Sequence, residues 1–259
     1  MPAYPFAPES PGSATVASPV RVEPPPSPRG WAASCAVDLV LLSPRQGRLA
    51  VFLERSTGER AGDEPSWALP WGTPWPTDAT LDDCARRIAA RALHHEDAPP
   101  LTWLAQAGTF ADDRQHPGRI ELSVGIVATV PAGARQPDAP SGESSGAWFT
   151  EVPPLHDRHR AVLDAAVAAI RLSIDTAPVA FRLLPATFTL SELQQVYEIL
   201  LGHRLHKASF RRALLAASLV EATDDWRSEG RGRPAQLFRY APRRRRPRRR
   251  GVRFDLLRG

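Results

Sequence analysis

The residues with the plainest chemistry lie toward the C-terminal end of the chain. Lys207, Ser209, Arg211 and Arg212 fall within residues 207–217, whose apolar members Phe210, Leu214 and Leu215 recur at helical spacing and are expected to face a core. A basic helix of this kind can enter a DNA major groove. There an arginine bridges O6 and N7 of guanine, and a short serine hydroxyl reaches a base or a phosphate. Arg231 and Arg233 stand in a Gly-Arg-Gly-Arg turn that suits phosphate or minor-groove contact. Seven of the eight positions 243–250 are arginine, a stretch suited to sequence-independent phosphate binding through counterion release.

Other chemistry is poorly served. His94 and His95 are adjacent, so on a helix they point about 100° apart and make a poor chelate; they read as helix-end residues facing the dipole. His156, Asp157 and His159 stand at a helix start and read as an N-terminal cap and an interdomain hydrogen bond. No Gly-x-Ser-x-Gly elbow supports a hydrolytic serine. Cys35 and Cys84 are isolated, which excludes a disulfide framework and a thiolate zinc site and fits a reducing cytoplasm. No 18-residue apolar run exists, since even the stretch 36–42 is interrupted by Asp38, so no membrane span is expected.

Charge is divided along the chain. Residues 178–259 hold 18 Lys+Arg against 7 Asp+Glu, whereas residues 1–177 hold 15 against 21. An acidic first portion joined to a basic second portion implies that the C-terminal part meets a polyanion. All the basic residues but Lys207 are arginine. The position of the charge therefore says more than the choice of arginine over lysine.

These side chains need elements to carry them. Residues 1–30 are rich in Pro, Ser, Ala and Glu and read as a disordered leader. Residues 31–155 read as a compact α+β sensor domain: strands at 34–42 and 49–54 around a Pro-Arg-Gln-Gly turn, a helix at 80–93, strands at 101–110 and 120–130, and a short strand at 147–150. The helix opens on a capping box of Thr80 and Asp83 and carries Leu81, Ala85, Ile88, Ala89 and Ala92 on one face. A linker helix spans 156–177, with Val162, Ala166, Ala169, Ile170 and Ile174 on one side. Residues 178–241 follow the order of a winged helix-turn-helix. An extended stretch at 178–185 leads to a helix opened by Thr189 and Glu192 and closed at Gly202; the basic helix and a two-stranded ribbon follow, at 221–223 and 236–240. Residues 242–259 form a basic tail.

Trp67-Ala-Leu-Pro-Trp-Gly72 and Thr80-Leu-Asp-Asp-Cys-Ala-Arg-Arg87 resemble the strand, turn and helix start of a Nudix box. In that family the helix continues with Arg-Glu-apolar-x-Glu-Glu, because Mg²⁺ on a diphosphate wants oxygen ligands. Here the continuation is Ile88-Ala-Ala-Arg-Ala-Leu-His-His95. Asp78 keeps the five-residue spacing from Gly72, while Thr80-Leu81 shifts the register by one. In either register the paired glutamates become Ala90, Arg91 or Ala92, so neither a metal site nor a catalytic residue is carried over.

The sequence around the box resembles NrtR-type, Nudix-related transcriptional regulators. Gln106-Ala-Gly-Thr-Phe110, the polar stretch to Gly118-Arg119, residues 120–130, residues 156–163 and residues 179–198 follow that family's order, and Ser209-Phe-Arg-Arg212 matches its Asn-Phe-Arg-Arg stretch. The resemblance covers roughly residues 31–241. It implies a Nudix-like α/β/α sandwich followed by a winged helix, a homodimer on double-stranded operator DNA, and release by ADP-ribose or a related nucleotide or sugar. On this reading the protein is a non-catalytic repressor without a cofactor. Arg55 and Arg119 would hold an effector's phosphates, and Trp67 or Phe110 would stack its base. Glu54, Asp112, Asp113 and Glu121 would line a residual cleft. The alternative is a divergent Nudix hydrolase of a nucleoside diphosphate derivative that draws its ligands from Glu54 or Glu121, outside the box.

Overall fold

The structure is a computed structural model, and the residues described are 34–56, 66–93, 101–131, 146–228 and 234–241. The leader, His94, His95, Arg231, Arg233 and the arginine-rich tail lie outside them. Among the described residues no helix is long and apolar enough to cross a membrane.

Strand β1 (Cys35–Arg45) is the axis of the first part of the chain. It turns at Gln46 and Gly47, with φ of 48° and 74°, into β2 (Arg48–Ser56). A two-residue turn with two positive φ values matches the twist of the strands it joins. β3 (Ser66–Ala68) extends the sheet beyond β2, and β4 (Trp71–Gly72) pairs with β1. On the other side β6 (Leu122–Thr129) runs parallel to β1 and antiparallel to β5 (Trp103–Phe110). β7 (Gly146–Phe149) pairs with β2, and the main path reads β3-β2-β1-β6-β5.

Both faces of β1 are covered, which is why its sequence is a near-continuous apolar run. Val37, Leu39 and Leu41 meet helix α1 (Leu81–Ala92) through Cys84, Ala85, Ile88, Ala89 and Ala92. Val40 and Leu42 face helix α2 (Asp157–Ser173), whose Val162, Leu163, Ala166 and Ile170 pack there with Val51, Leu53 and Val127. The result is the α/β/α sandwich. Thr80 and Asp83 form the reciprocal capping box on α1. Leu81 departs from expectation and stays 38% exposed, because the first turn of a helix need not reach the core that its periodicity points to.

α2 begins at Asp157, with His156 at the N-cap making no side-chain cap bond. The expected cap is therefore absent. Arg158 and His159 turn inward instead and are buried in the first turn.

The next segment also departs from the sequence reading. Residues 178–185 are not extended throughout: Val179–Arg182 forms a single helical turn, α3, which buries Val179, Ala180 and Phe181. Pro178, at φ −78°, is preset for a helix start. Two-residue β8 (Thr187–Phe188) follows, then α4 (Leu190–Leu201), capped by Thr189 and Glu192 and ended by Gly202 at φ 77°. α5 (Lys207–Ala216) leads to β9 (Val220–Arg227) and β10 (Ala235–Tyr240), and β8 adds to the edge of β10 in a sheet ordered β8-β10-β9. Phe210 and Leu214 are buried, but Leu215 is 54% exposed and does not face the core as expected. One apolar cluster runs from the α2 side of the large sheet through α2 into α3, α4 and α5.

α2 can approach the sheet because residue 125 has no side chain: a Cβ there would stand 2.9 Å from Val162 Cγ1. Gly125→Ala is expected to destabilise the fold by about 1–3 kcal/mol through overpacking, read as a lower urea midpoint. An unchanged midpoint would contradict this packing.

Candidate functional site

The box region folds around two arginines on one edge of α1. Arg87 grips Asp78 with two bonds, Nε to Oδ1 at 3.1 Å and Nη2 to Oδ2 at 2.6 Å, and also donates to the Thr73 carbonyl. Its guanidinium lies 3.9 Å from the Trp75 ring centroid. The fork holds the Asp78 carboxyl down at about 2. One turn later Arg91 Nη2 donates to Glu54 Oε2 and to the Trp71 carbonyl, each at 3.1 Å. Ile88 stands against Gly72, where a Cβ would meet its Cγ1 at 3.3 Å. Ile88 thus takes the apolar box position. This favours the register counted from Asp78 and puts Arg87, Ala90 and Arg91 where the metal-binding glutamates of a Nudix box stand. These residues do not fit Mg²⁺, since two are cations and one has no donor. The nearby carboxylates of Asp78 and Glu54 are already paired with those arginines.

A second polar cluster lies in the interior. Asp38, the lone acid in β1, points to the α2 side and is fully buried. Its Oδ1 accepts from His116 Nε2 at 2.9 Å and lies 3.6 Å from His159 Nε2. Each ring has its other nitrogen committed, because His159 Nδ1 accepts the Leu69 amide at 3.0 Å and His116 Nδ1 accepts the Gly118 amide at 2.9 Å. Both Nε2 atoms therefore carry protons directed at the carboxylate. Two histidines and an aspartate are a common ligand set. A metal, however, needs the Nε2 lone pair and a proton on Nδ1, and here the backbone amides occupy Nδ1. The cluster is a buried hydrogen-bonded charge, not a metal centre.

Burial by itself would raise the Asp38 carboxyl; the His116 hydrogen bond and the nearby His159 ring outweigh it and hold the group well below the usual carboxylate range. Burial pushes His159 down, against the pull of Asp38. Arg158 completes the arrangement. It donates to the Ile120, Glu121 and Asp112 carbonyls and so binds the loop that carries His116 to the start of α2. His159 makes no bond between domains: Leu69, Asp38 and His116 all belong to the sandwich of which α2 is a layer. The one signal in the sequence was a charged residue inside an apolar strand.

Of the proposed effector residues, Arg55 and Trp67 are brought together and Phe110 stands apart from them. The Arg55 guanidinium lies 5.1 Å over Trp67, which packs edge-on against Phe149 at 4.6 Å. Phe110 belongs to β5, three strands from β2 and so about 14 Å away across the sheet. Arg119 sits on the loop at φ 53°. The four acids also separate: Glu54 pairs with Arg91 on the α1 side, while Asp112 lies 3.5 Å from Arg158 on the other side. Asp113 and Glu121 are exposed on the same loop.

The basic helix is held by the first turn of α4. Arg211 Nη2 donates to Ser191 Oγ at 3.2 Å, and Arg227 of β9 donates to Glu192 at 2.7 Å. Gln194 and Glu198 bond the backbone of Leu205 and fix the turn before α5. His206 caps α5, with Ser209 Oγ 3.1 Å from its Nδ1, so the Ser209 hydroxyl is engaged locally. Lys207 and Arg212 are exposed, and Ala208, Arg212 and Leu215 form an outward stripe.

A Nudix-like sandwich whose box holds arginines, followed by a winged helix, is the architecture of a Nudix-related DNA-binding regulator. Residues 180–240 match the family model described as the NrtR DNA-binding winged helix domain. The chain is 31% identical over 210 residues to the ADPR responsive transcriptional repressor NtrR of Acinetobacter baylyi, covering 79% of this chain and 81% of that protein. It also resembles Shewanella oneidensis NrtR, solved in complex with a 27mer DNA, with 27% identity, a TM-score of 0.66, and coverage of 80% of this chain and 93% of that one. A MutT/nudix family protein from Enterococcus faecalis shares the fold at 18% identity and a TM-score of 0.63, over 81% of this chain and 88% of that one. The chain belongs to the NrtR family of Nudix-related transcriptional regulators.

Asp38→Ala would leave the buried His116 N–H without its acceptor and is expected to cost about 1–3 kcal/mol in urea unfolding at neutral pH. A loss under 1 kcal/mol would contradict the role assigned to the cluster. Because His159 and Asp38 are both lowered in the folded state, the unfolded chain binds their protons first. Stability should therefore fall as pH drops below about 6.5 for the histidine, and again below about 4 for the aspartate. The urea midpoint measured from neutral pH downward checks the sign.

Proposed function

We propose that this chain is a DNA-binding transcriptional repressor in which a Nudix-like sensor (31–155) and linker helix (156–177) control a winged helix (178–241). The observation that carries the reading is the outward stripe of α5, with Lys207 and Arg212 exposed toward DNA while α4 holds the helix from behind. Arg212 is suited to guanine, and Ala208 and Leu215 beside it are suited to thymine methyl groups. Arg211 and Ser209 position α5 from within. Arg231 and Arg233 are assigned to the phosphates beside the wing. Two copies would present two such helices to half-sites one helical turn apart. A relative named as ADPR responsive supports ADP-ribose as effector. We assign the protein to the cytoplasm, with its operator.

We infer further that the sensor does not hydrolyse its ligand. The box positions are Arg87, Ala90 and Arg91, and the alternative ligand Glu54 is bound to Arg91. Incubation with ADP-ribose and Mg²⁺ should release no AMP.

The test is fluorescence anisotropy on promoter fragments at physiological salt. A regulator should bind its operator at least ~1,000-fold tighter than random DNA. Arg212→Ala should weaken operator binding by about 1–3 kcal/mol, whereas Lys207→Ala should weaken operator and random DNA alike. Equal and steeply salt-dependent binding to every fragment, unchanged by Arg212→Ala, would overturn the reading.

A further inference from the structure

The two arginines of the box differ in what they leave open. Arg87 is engaged on all sides, by Asp78, the Thr73 carbonyl and the Trp75 ring, and its side chain is mostly buried. Arg91 is 53% exposed. A guanidinium carries five N–H donors. The Nη2 pair of Arg91 goes to Glu54 and the Trp71 carbonyl, and the three on Nε and Nη1 meet no acceptor among the described residues. Nη1 lies beside Gly72, 4.0 Å from where a Cβ would stand.

A metal-dependent box stacks charge in the order carboxylate, divalent cation, phosphate. Here the stack begins the same way, with the half-buried Glu54 carboxylate, and continues with a guanidinium. An arginine is always charged, and its planar fork matches two phosphate oxygens. Glu54 would by itself repel an anion; with Arg91 laid on it, the pair turns donors outward.

We propose that Arg91 replaces the divalent cation of the box and makes the surface beside Gly72 a metal-independent site for a diphosphate-containing ligand. This rests on the sensor reading above and adds the contact and the ion requirement. The ligand meets the protein directly, and the response does not depend on Mg²⁺.

Isothermal titration of ADP-ribose into the full chain, once with EDTA and once with millimolar Mg²⁺, tests this. The expected result is the same Kd in both buffers, weakened about tenfold or more by Arg91→Ala and only partly restored by Arg91→Lys, which keeps the charge and loses the fork. Circular dichroism verifies that the variants fold, and Arg91→Lys serves alone if Arg91→Ala does not. Binding that requires Mg²⁺, or variants that bind as well as the parent, would overturn the proposal while leaving the sensor reading intact. If ADP-ribose fails in both buffers but inorganic pyrophosphate binds and Arg91→Ala abolishes it, the anion site stands and ADP-ribose falls as the effector. Failure of both ligands overturns both.

Discussion

The structure turns on one buried carboxylate. Asp38 sits in a strand covered on both faces, where an unpaired charge would cost several kcal/mol, and it is tolerated because imidazole N–H groups of His116 and His159 are directed at it. Those rings are in turn fixed by the amides of Gly118 and Leu69. A single charge thus joins the central strand, the loop 111–121, the segment before the box and the first turn of α2. Arg158 doubles the connection by binding the same loop through its carbonyls. The position of α2 is therefore set by polar geometry at its start and by apolar packing along its length.

That position matters because α2 also holds the reader. Arg171 near its end donates to the Leu200 carbonyl, at the C-terminus of α4, where a cation also complements the helix dipole. Ile170 and Ile174 belong to the same apolar cluster as Phe181, Leu193 and Phe210. α4 then aligns α5 through Ser191 and the wing strand through Glu192. A change in the sensor that shifts α2 must move this set together or break its bonds. A ligand could act only by favouring one placement of α2 over another.

Local signals in the sequence were legible, and long-range ones were not. Both capping boxes and the glycine end of α4 follow from residues three or four apart, and they stand as expected. α3 and β8 were unreadable, since a four-residue helix and a two-residue strand have no periodicity and owe their existence to burial against α4 and β10. Leu215 fits the apolar spacing of α5 but falls on its outward side, a distinction that depends on where α4 packs. Arg55 and Trp67 meet, but Phe110 lies three strands from β2, because spacing along the chain does not give strand order. His116 lies inside a loop that reads as polar, and its burial comes from a partner 78 residues away. Two box registers fit the sequence, and the contact of Ile88 with Gly72 favours the one counted from Asp78.

The central claim is that sensor and reader are energetically coupled. The most direct measurement is the linkage itself: the Kd for operator DNA with and without saturating ADP-ribose, and the Kd for ADP-ribose with and without operator. The account predicts that each ligand weakens the other by one common factor, about 5- to 150-fold, as reciprocity requires. Operator and ADP-ribose affinities that are each indifferent to the other ligand would contradict it.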